Sequence, residues 1–155
     1  MLQRQIDLGV DVERAFGLWT EHVNLWWPAG HSISQHPGVR MAFEARLGGR
    51  LLERVPEGPE IVWGRVVGWQ APSSIRYAFS PGGGGEYTSD VQVSFVARPG
   101  GSQLNVRHER GQFTADRWES MQGRFEQHWD LVLPAFEEHS RTTDLPTGGA
   151  GDTLF

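Results

Sequence analysis

The sequence predicts an α+β domain in which a curved antiparallel sheet wraps around a long C-terminal helix, with two short helices after the first strand. Three observations carry this. Between residues 39 and 108, apolar and polar side chains alternate in runs separated by Gly- and Pro-rich turns, as in half-buried strands joined by hairpins. Residues 116–139 change to a helical period with a continuous apolar stripe. No crossover helix interrupts the strand region, which makes the pairing antiparallel.

A chain of 155 residues is the size of one domain with one substantial core. Its 38% hydrophobic and 21% charged residues are those of a globular protein. Seven Trp and eight Phe fit either a bulky core or a cavity lined by rings. The net charge is -5, and no basic stripe occurs, which argues against nucleic acid as a partner. All fixed basic side chains are Arg, a compositional bias rather than a functional one. With no Cys, disulfides, thiolate catalysis and cysteine metal sites are excluded. Met1 to Arg4 leads into mixed polar sequence without a signal-peptide core, and no run approaches about 18 apolar residues. A cytoplasmic protein without membrane insertion is the expectation, and no cofactor is implied.

Residues 2–8 read as a strand. Asp11 is placed to cap the helix that follows, in which Val12, Ala15, Phe16 and Trp19 fall at helical spacing. A second short helix covers residues 21–26 and ends at Trp27, ahead of Pro28. Val39, Met41, Phe43, Ala45 and Leu47 alternate on the next strand. Gly48 and Gly49 read as a two-residue hairpin, residues 50–55 return, and residues 61–70 form a long strand. With that register Leu52 lies opposite Trp63, on the face of Phe43 and Ala45. Ile75, Tyr77 and Phe79, then Val91, Val93 and Phe95, then Leu104, Val106 and His108 continue the inward face. Residues 81–85, with four glycines, read as a flexible flap. Trp118, Met121, Phe125, Trp129, Val132 and Phe136 form the stripe of the last helix, in which Pro134 predicts a kink. The domain spans residues 1–139, and residues 140–155 read as a flexible tail.

This order of elements resembles the helix-grip (Bet v 1-like) fold of the START-like SRPBCC superfamily. Within it, the chain is similar to the bacterial branch named after the activator of heat-shock protein 90 ATPase. The likeness rests on residues 12–20 with Ala15, Phe16 and Trp19, and on Trp26, Trp27 and Pro28. It continues through residues 43–50 with Glu53 and Arg54, through Trp63 to Val66 with Trp69 and Pro72, and into the aromatic terminal helix. Bacterial relatives often carry a Gly-Trp pair in that helix; here it is His128 and Trp129, the nearest glycine being Gly123. The resemblance implies a cavity between sheet and helix but no single chemistry.

Phe43, Trp63, Tyr77, Phe95, Phe125 and Trp129 are the predicted lining of that cavity, where a few polar groups would orient a ligand; the alternative is a core filled by the same rings. His108 shares the inward face and is the candidate polar group, as ligand contact or proton carrier; the alternative is a core histidine bonded to a carbonyl or to Tyr77. Trp26, Trp27 and His31 fall where the family places the cavity mouth, or they close the core beneath the first helices. Glu44 and Glu53 face one another across the hairpin, as an acid/base pair or as a solvent-side ion cluster with Arg46. Six His include no metal-ligand spacing, and no nucleophile elbow occurs.

The resulting expectation is a binding domain for a small hydrophobic or aromatic molecule. Two alternatives are a protein-interaction module of the chaperone-regulator kind, and a cyclase- or hydrolase-type enzyme acting on a polyketide-like substrate. A homodimer stays open, since no heptad seam or self-complementary strand is visible.

Overall fold

A computed structural model describes residues 1–81 and 87–142. The first strand, β1 (Leu2–Leu8), is followed by two short helices, α1 (Val12–Trp19) and α2 (Val23–Trp26). Six strands come next: β2 (Arg40–Phe43), β3 (Arg50–Arg54), β4 (Glu60–Gln70), β5 (Ser74–Phe79), β6 (Ser89–Arg98) and β7 (Gly101–Glu109). One long helix, α3 (Ala115–Thr142), completes the described chain. Every pairing is antiparallel, in the order β1-β7-β6-β5-β4-β3-β2. The sheet curls into a half-barrel around α3.

Local chemistry sets these bounds. Asp11 accepts from the Arg14 N–H at 2.9 Å, and Thr114 accepts from the Arg117 N–H at 3.1 Å, so α1 and α3 each begin on a side-chain cap. β6 and β7 are joined by Pro99 and Gly100, the latter at φ +84°. α3 runs through Pro134 as one element, with Pro134 on its exposed side, where water can take the carbonyl bond that proline forfeits. The helix also runs three residues past the predicted domain limit, burying Ser140. The rest of the predicted tail, residues 143–155, and residues 82–85 of the flap lie outside the described residues.

The inward faces meet the α3 stripe in one aromatic-rich core. Trp19 packs on Trp26 at 4.9 Å and edge-on to Phe136 at 5.0 Å, and the Trp26 indole N–H donates to the Leu18 carbonyl at 2.7 Å. At this end Trp129, Val132, Leu133 and Phe136 are all buried, and the rings fill the interior between helix and sheet, with a cleft open to solvent between β1 and the helix.

Three sequence expectations fail between β2 and β4. The strand stops at Phe43, and residues 44–49 form a loop instead of a two-residue hairpin, so Ala45 is exposed and Leu47 is 65% exposed. Phe43 consequently pairs with Leu51, and Met41 with Glu53. β4 then bulges against β3, so that Leu51 faces Gly64 and Leu52 faces Val62, with Trp63 as the extra residue. Leu52 is therefore not opposite Trp63, and Glu53 is not opposite Glu44.

The loop makes distinct demands on its two glycines. Gly48 sits at φ +81° in open space, whereas a Cβ on Gly49 would stand 2.1 Å from the Glu44 carbonyl oxygen. Gly48→Ala should cost about 1 kcal/mol of stability, the price of a left-handed backbone. Gly49→Ala, forcing backbone apart, should cost at least about 3 kcal/mol. Urea unfolding of both variants checks this; equal losses would contradict the close approach.

Candidate functional site

The loop connecting α2 to β2 is held from beneath by Glu53. This side chain is 0% exposed on the inward face of β3. It accepts from the Ile33 N–H, from the Ser34 N–H at 3.1 Å, and from the Trp63 indole N–H at 2.8 Å. All three partners donate, which matches the acceptor-only oxygens of a carboxylate. At the loop's start Trp27 takes an extended conformation, ψ 133°, as a residue preceding proline requires. Its indole N–H donates to the His31 carbonyl at 2.6 Å.

So anchored, the loop brings His31 to α3. Its Nε2 lies 2.9 Å from Nδ1 of His128. Trp27 stacks on His31 at 5.6 Å, Trp63 meets it edge-on at 5.4 Å, and Phe79 packs on His128 at 5.1 Å. Burial lowers the pKa of His31, opposed in part by the charge of Glu53. Burial also holds His128 well below the ordinary value, with His31 and His108 adding in the same sense. The pair is thus neutral near pH 7 and joined by one N–H···N bond. Two neutral imidazoles sharing one bond keep one further donor and one further acceptor between them. Those outer nitrogens, Nδ1 of His31 and Nε2 of His128, have no other partner among the described residues, and neither is sealed from accessible space.

Beside the pair lies a cavity of about 280 Å³ between the sheet and the N-terminal half of α3. Ile33, Trp63, Phe79, Met121 and Phe125 form apolar walls; His31, His128, Ser32 and Arg124 are its polar groups. Arg124 stands one helical turn before His128 and makes no ion pair among the described residues. A separate cleft of about 430 Å³, lined in part by Trp27 and Asn24, shares His31 and Ser32 from the other side of the loop.

Of the residues predicted to line a cavity, Trp63, Phe125 and His31 meet here. Trp27 stands behind His31, and Trp26 is buried under Phe136. Phe43 and Tyr77 pack on each other at 5.7 Å, Phe95 packs on Phe16 at 5.9 Å, and Trp129 stacks on Trp19 at 6.4 Å. Burial raises the Tyr77 phenol pKa. These residues belong to the filled part of the interior.

His108 does not line this cavity. It is 0% exposed, its Nδ1 accepts from the Trp129 indole N–H at 3.0 Å, and its Nε2 lies 2.7 Å from Ser89 Oγ. An indole can only donate, so the imidazole proton is on Nε2, directed at Ser89, whose hydroxyl passes on to the Phe79 carbonyl at 3.3 Å. Both nitrogens are used in tying β7 to α3 and β6. Burial, with the N-terminal ammonium adding, pushes the His108 pKa down to about 3. The Glu44–Glu53 pairing also dissolves. Glu44 is bound by Arg50 at 2.7 Å, and the side-chain hydrogen bond from Arg50 lowers its pKa to about 2.

Phe79, Met121, Arg124 and His128 are site residues that the sequence did not single out, whereas Glu53 stood out only as a partner of Glu44 and not as an anchor of the loop. Phe79 continues the Tyr77 alternation, and Met121 and Phe125 share the α3 stripe, so those two could have been found. Nothing local marks Glu53 as an inward-facing anchor. Among the described residues no group of three His, Cys, Asp or Glu could hold a metal, and no described helix is long and apolar enough to cross a membrane.

No family model matches the chain, and no curated protein matches it. Solved structures do. A protein from Mesorhizobium loti has a TM-score of 0.67 at 16% identity, over 93% of this chain and 98% of that one. A protein from Rhodobacter sphaeroides has a TM-score of 0.66 at 16% identity, over 92% and 93%. DynU16, from the dynemicin biosynthetic locus, has a TM-score of 0.66 at 10% identity, over 91% of this chain and 47% of that one. At these identities the likeness shows the fold: helix-grip-like, α+β, with a sheet and helix compatible with a ligand cavity.

The two buried polar anchors have measurable consequences. Glu53→Gln keeps the volume but turns an NH2 toward a ring of donors; it should cost about 2–3 kcal/mol and lose amide-exchange protection at Ile33 and Ser34. Unchanged protection would contradict the anchoring. For His108, the unfolded chain takes up a proton near pH 6.5 while the folded chain stays neutral down to about pH 3. Stability is therefore complete above about 6.5 and falls as pH drops through that window. His108→Asn should flatten the decline by about 1.4 kcal/mol per pH unit, read from unfolding midpoints at pH 7.5, 6 and 5; an unaltered slope would place the proton uptake elsewhere.

Proposed function

We propose that the protein binds a small hydrophobic or aromatic molecule, as a cytoplasmic binding domain, in the cavity beside the His31–His128 pair. The carrying observation is a space of about 280 Å³ walled by Trp63, Phe79, Phe125, Met121 and Ile33, with few polar groups. At roughly 30 Å³ per water it corresponds to about nine waters, room for a one- or two-ring guest. The run of residues 43–50 with Glu53 and Arg54 supports affiliation with the bacterial branch named after the heat-shock protein 90 ATPase activator. The full use of both His108 nitrogens removes that residue's support for a cyclase- or hydrolase-type activity.

Apolar burial alone gives modest affinity. A guest hiding about 150 Å² of ring surface gains about 4 kcal/mol at 25 cal/mol per Å², and association costs offset much of that. A plain hydrocarbon should bind no tighter than about millimolar. Saturation-transfer NMR with 2-acetylnaphthalene tests the reading. The wild type should transfer saturation to the aromatic protons, and Met121→Trp, which fills the space, should abolish transfer while leaving the fold intact by circular dichroism. No transfer to the wild type, or equal transfer to both, would overturn it.

A further inference from the structure

We propose that the guest is an organic anion, an aromatic or apolar carboxylate, with its ring among Trp63, Phe79 and Phe125 and its carboxylate between Arg124 and the His31–His128 pair. This rests on the cavity being the binding site and names the chemical class it selects.

Three observations converge on that assignment. First, His128 is 6% exposed, yet its outer nitrogen is neither bonded nor sealed, and the same holds for the outer nitrogen of His31. A ring nitrogen that has no protein partner and stays accessible beside apolar walls is free to bond a guest's polar group at that place. Whichever histidine donates the shared proton, one outer nitrogen carries an N–H, so the pair always offers a donor to an acceptor guest. Second, Arg124 brings a fixed positive charge to the same cavity from the same helix, four residues earlier. Guanidinium and carboxylate match in geometry, and charge-assisted bonds are about twice as strong as neutral ones.

Third, the acid that faces the pair among the described residues is already committed. Glu53 faces His31 from β3 but spends its oxygens on Ile33, Ser34 and Trp63. His108, facing His128 from β7, stays neutral and is fully bonded. β4 and β5 contribute only the rings of Trp63 and Phe79 to the cavity. Among the described lining residues there is no acid to repel a carboxylate, and two kinds of donor to receive it.

Isothermal titration with three isosteric probes at pH 7 tests this: 2-naphthoate, neutral 2-acetylnaphthalene and cationic 2-naphthylmethylammonium. The wild type should bind naphthoate at least about tenfold more tightly than the ketone and the ammonium least. Arg124→Gln, a change at an exposed position, should weaken naphthoate about tenfold and bring the two affinities close together. If the ketone binds as well as naphthoate, the anion assignment fails while the cavity reading survives. If naphthoate is preferred equally by wild type and Arg124→Gln, the carboxylate does not sit at Arg124 and the proposal is overturned. If none of the three binds a folded wild-type protein, the cavity reading itself falls.

Discussion

A helix with a rigid axis and a sheet that curls around it cannot touch along their whole lengths, and this mismatch governs the molecule. At the C-terminal half of α3 the problem is solved by bulk. Trp19, Trp26, Trp129 and Phe136 fill the space with rings at separations of 4.9 to 6.4 Å, and interiors of that density leave no room for a guest. Toward the N-terminal half Trp118 and Phe125 still pack on His108, but beside them Met121 is only half-buried and Arg124 is exposed. There the space beside them is walled on one side by a loop instead of filled by side chains, and the cavity lies under that loop, partly open to solvent.

A roof made of loop must solve a polar problem that a roof of rings does not have, because its own N–H groups point inward. Glu53 supplies the solution. Burying a carboxylate is costly unless it is fully hydrogen-bonded, and here two loop amides and an indole provide three donors. The anchor requires that β3 present Glu53 inward beside Leu51, and that Trp63 stand in a bulge within reach of it. The first follows from the loop at residues 44–49, whose length sets the parity of β3 relative to β2, and the second from the bulge of β4 against β3. The cavity, the anchor and the strand register are one arrangement.

That dependence also explains which parts of the molecule were legible beforehand. Where a strand is bounded by tight turns and packs one face on a core, period alone reveals it, as at Ile75, Tyr77 and Phe79 or Leu104, Val106 and His108, all buried as read. The stripe from Trp118 to Phe136 was equally plain, because six large apolar residues at spacings of three and four leave little choice. The misreading came where two adjacent glycines imitate a hairpin. Gly48 does supply a positive φ, but Gly49 is needed for a close approach to the Glu44 carbonyl, and no local pattern distinguishes the two demands. A slip by an odd number of residues turns an inward side chain outward, so the simple hairpin places Glu53 opposite Glu44 on the polar face instead of inward. His128 escaped for a different reason. Its partner is 97 residues away, and pairing across such a distance leaves no mark on either segment.

Two histidines pack on Phe79, His108 at 5.6 Å and His128 at 5.1 Å, and comparing them isolates what makes a buried polar group functional. Burial lowers the pKa of both, so neither burial nor titration separates them. Bonding does. His108 gives and receives one hydrogen bond with protein groups and has nothing left for a guest. His128 gives or receives one, with a second imidazole, and faces accessible space with its other nitrogen. A saturated polar group inside a core adds specificity to the fold, whereas an unsaturated one beside a void retains a cost that only a ligand or water can relieve. The inward-facing histidine apparent from the strand pattern is the structural one. The chemistry lies with the histidine on the helix, where a loop 97 residues distant completes it.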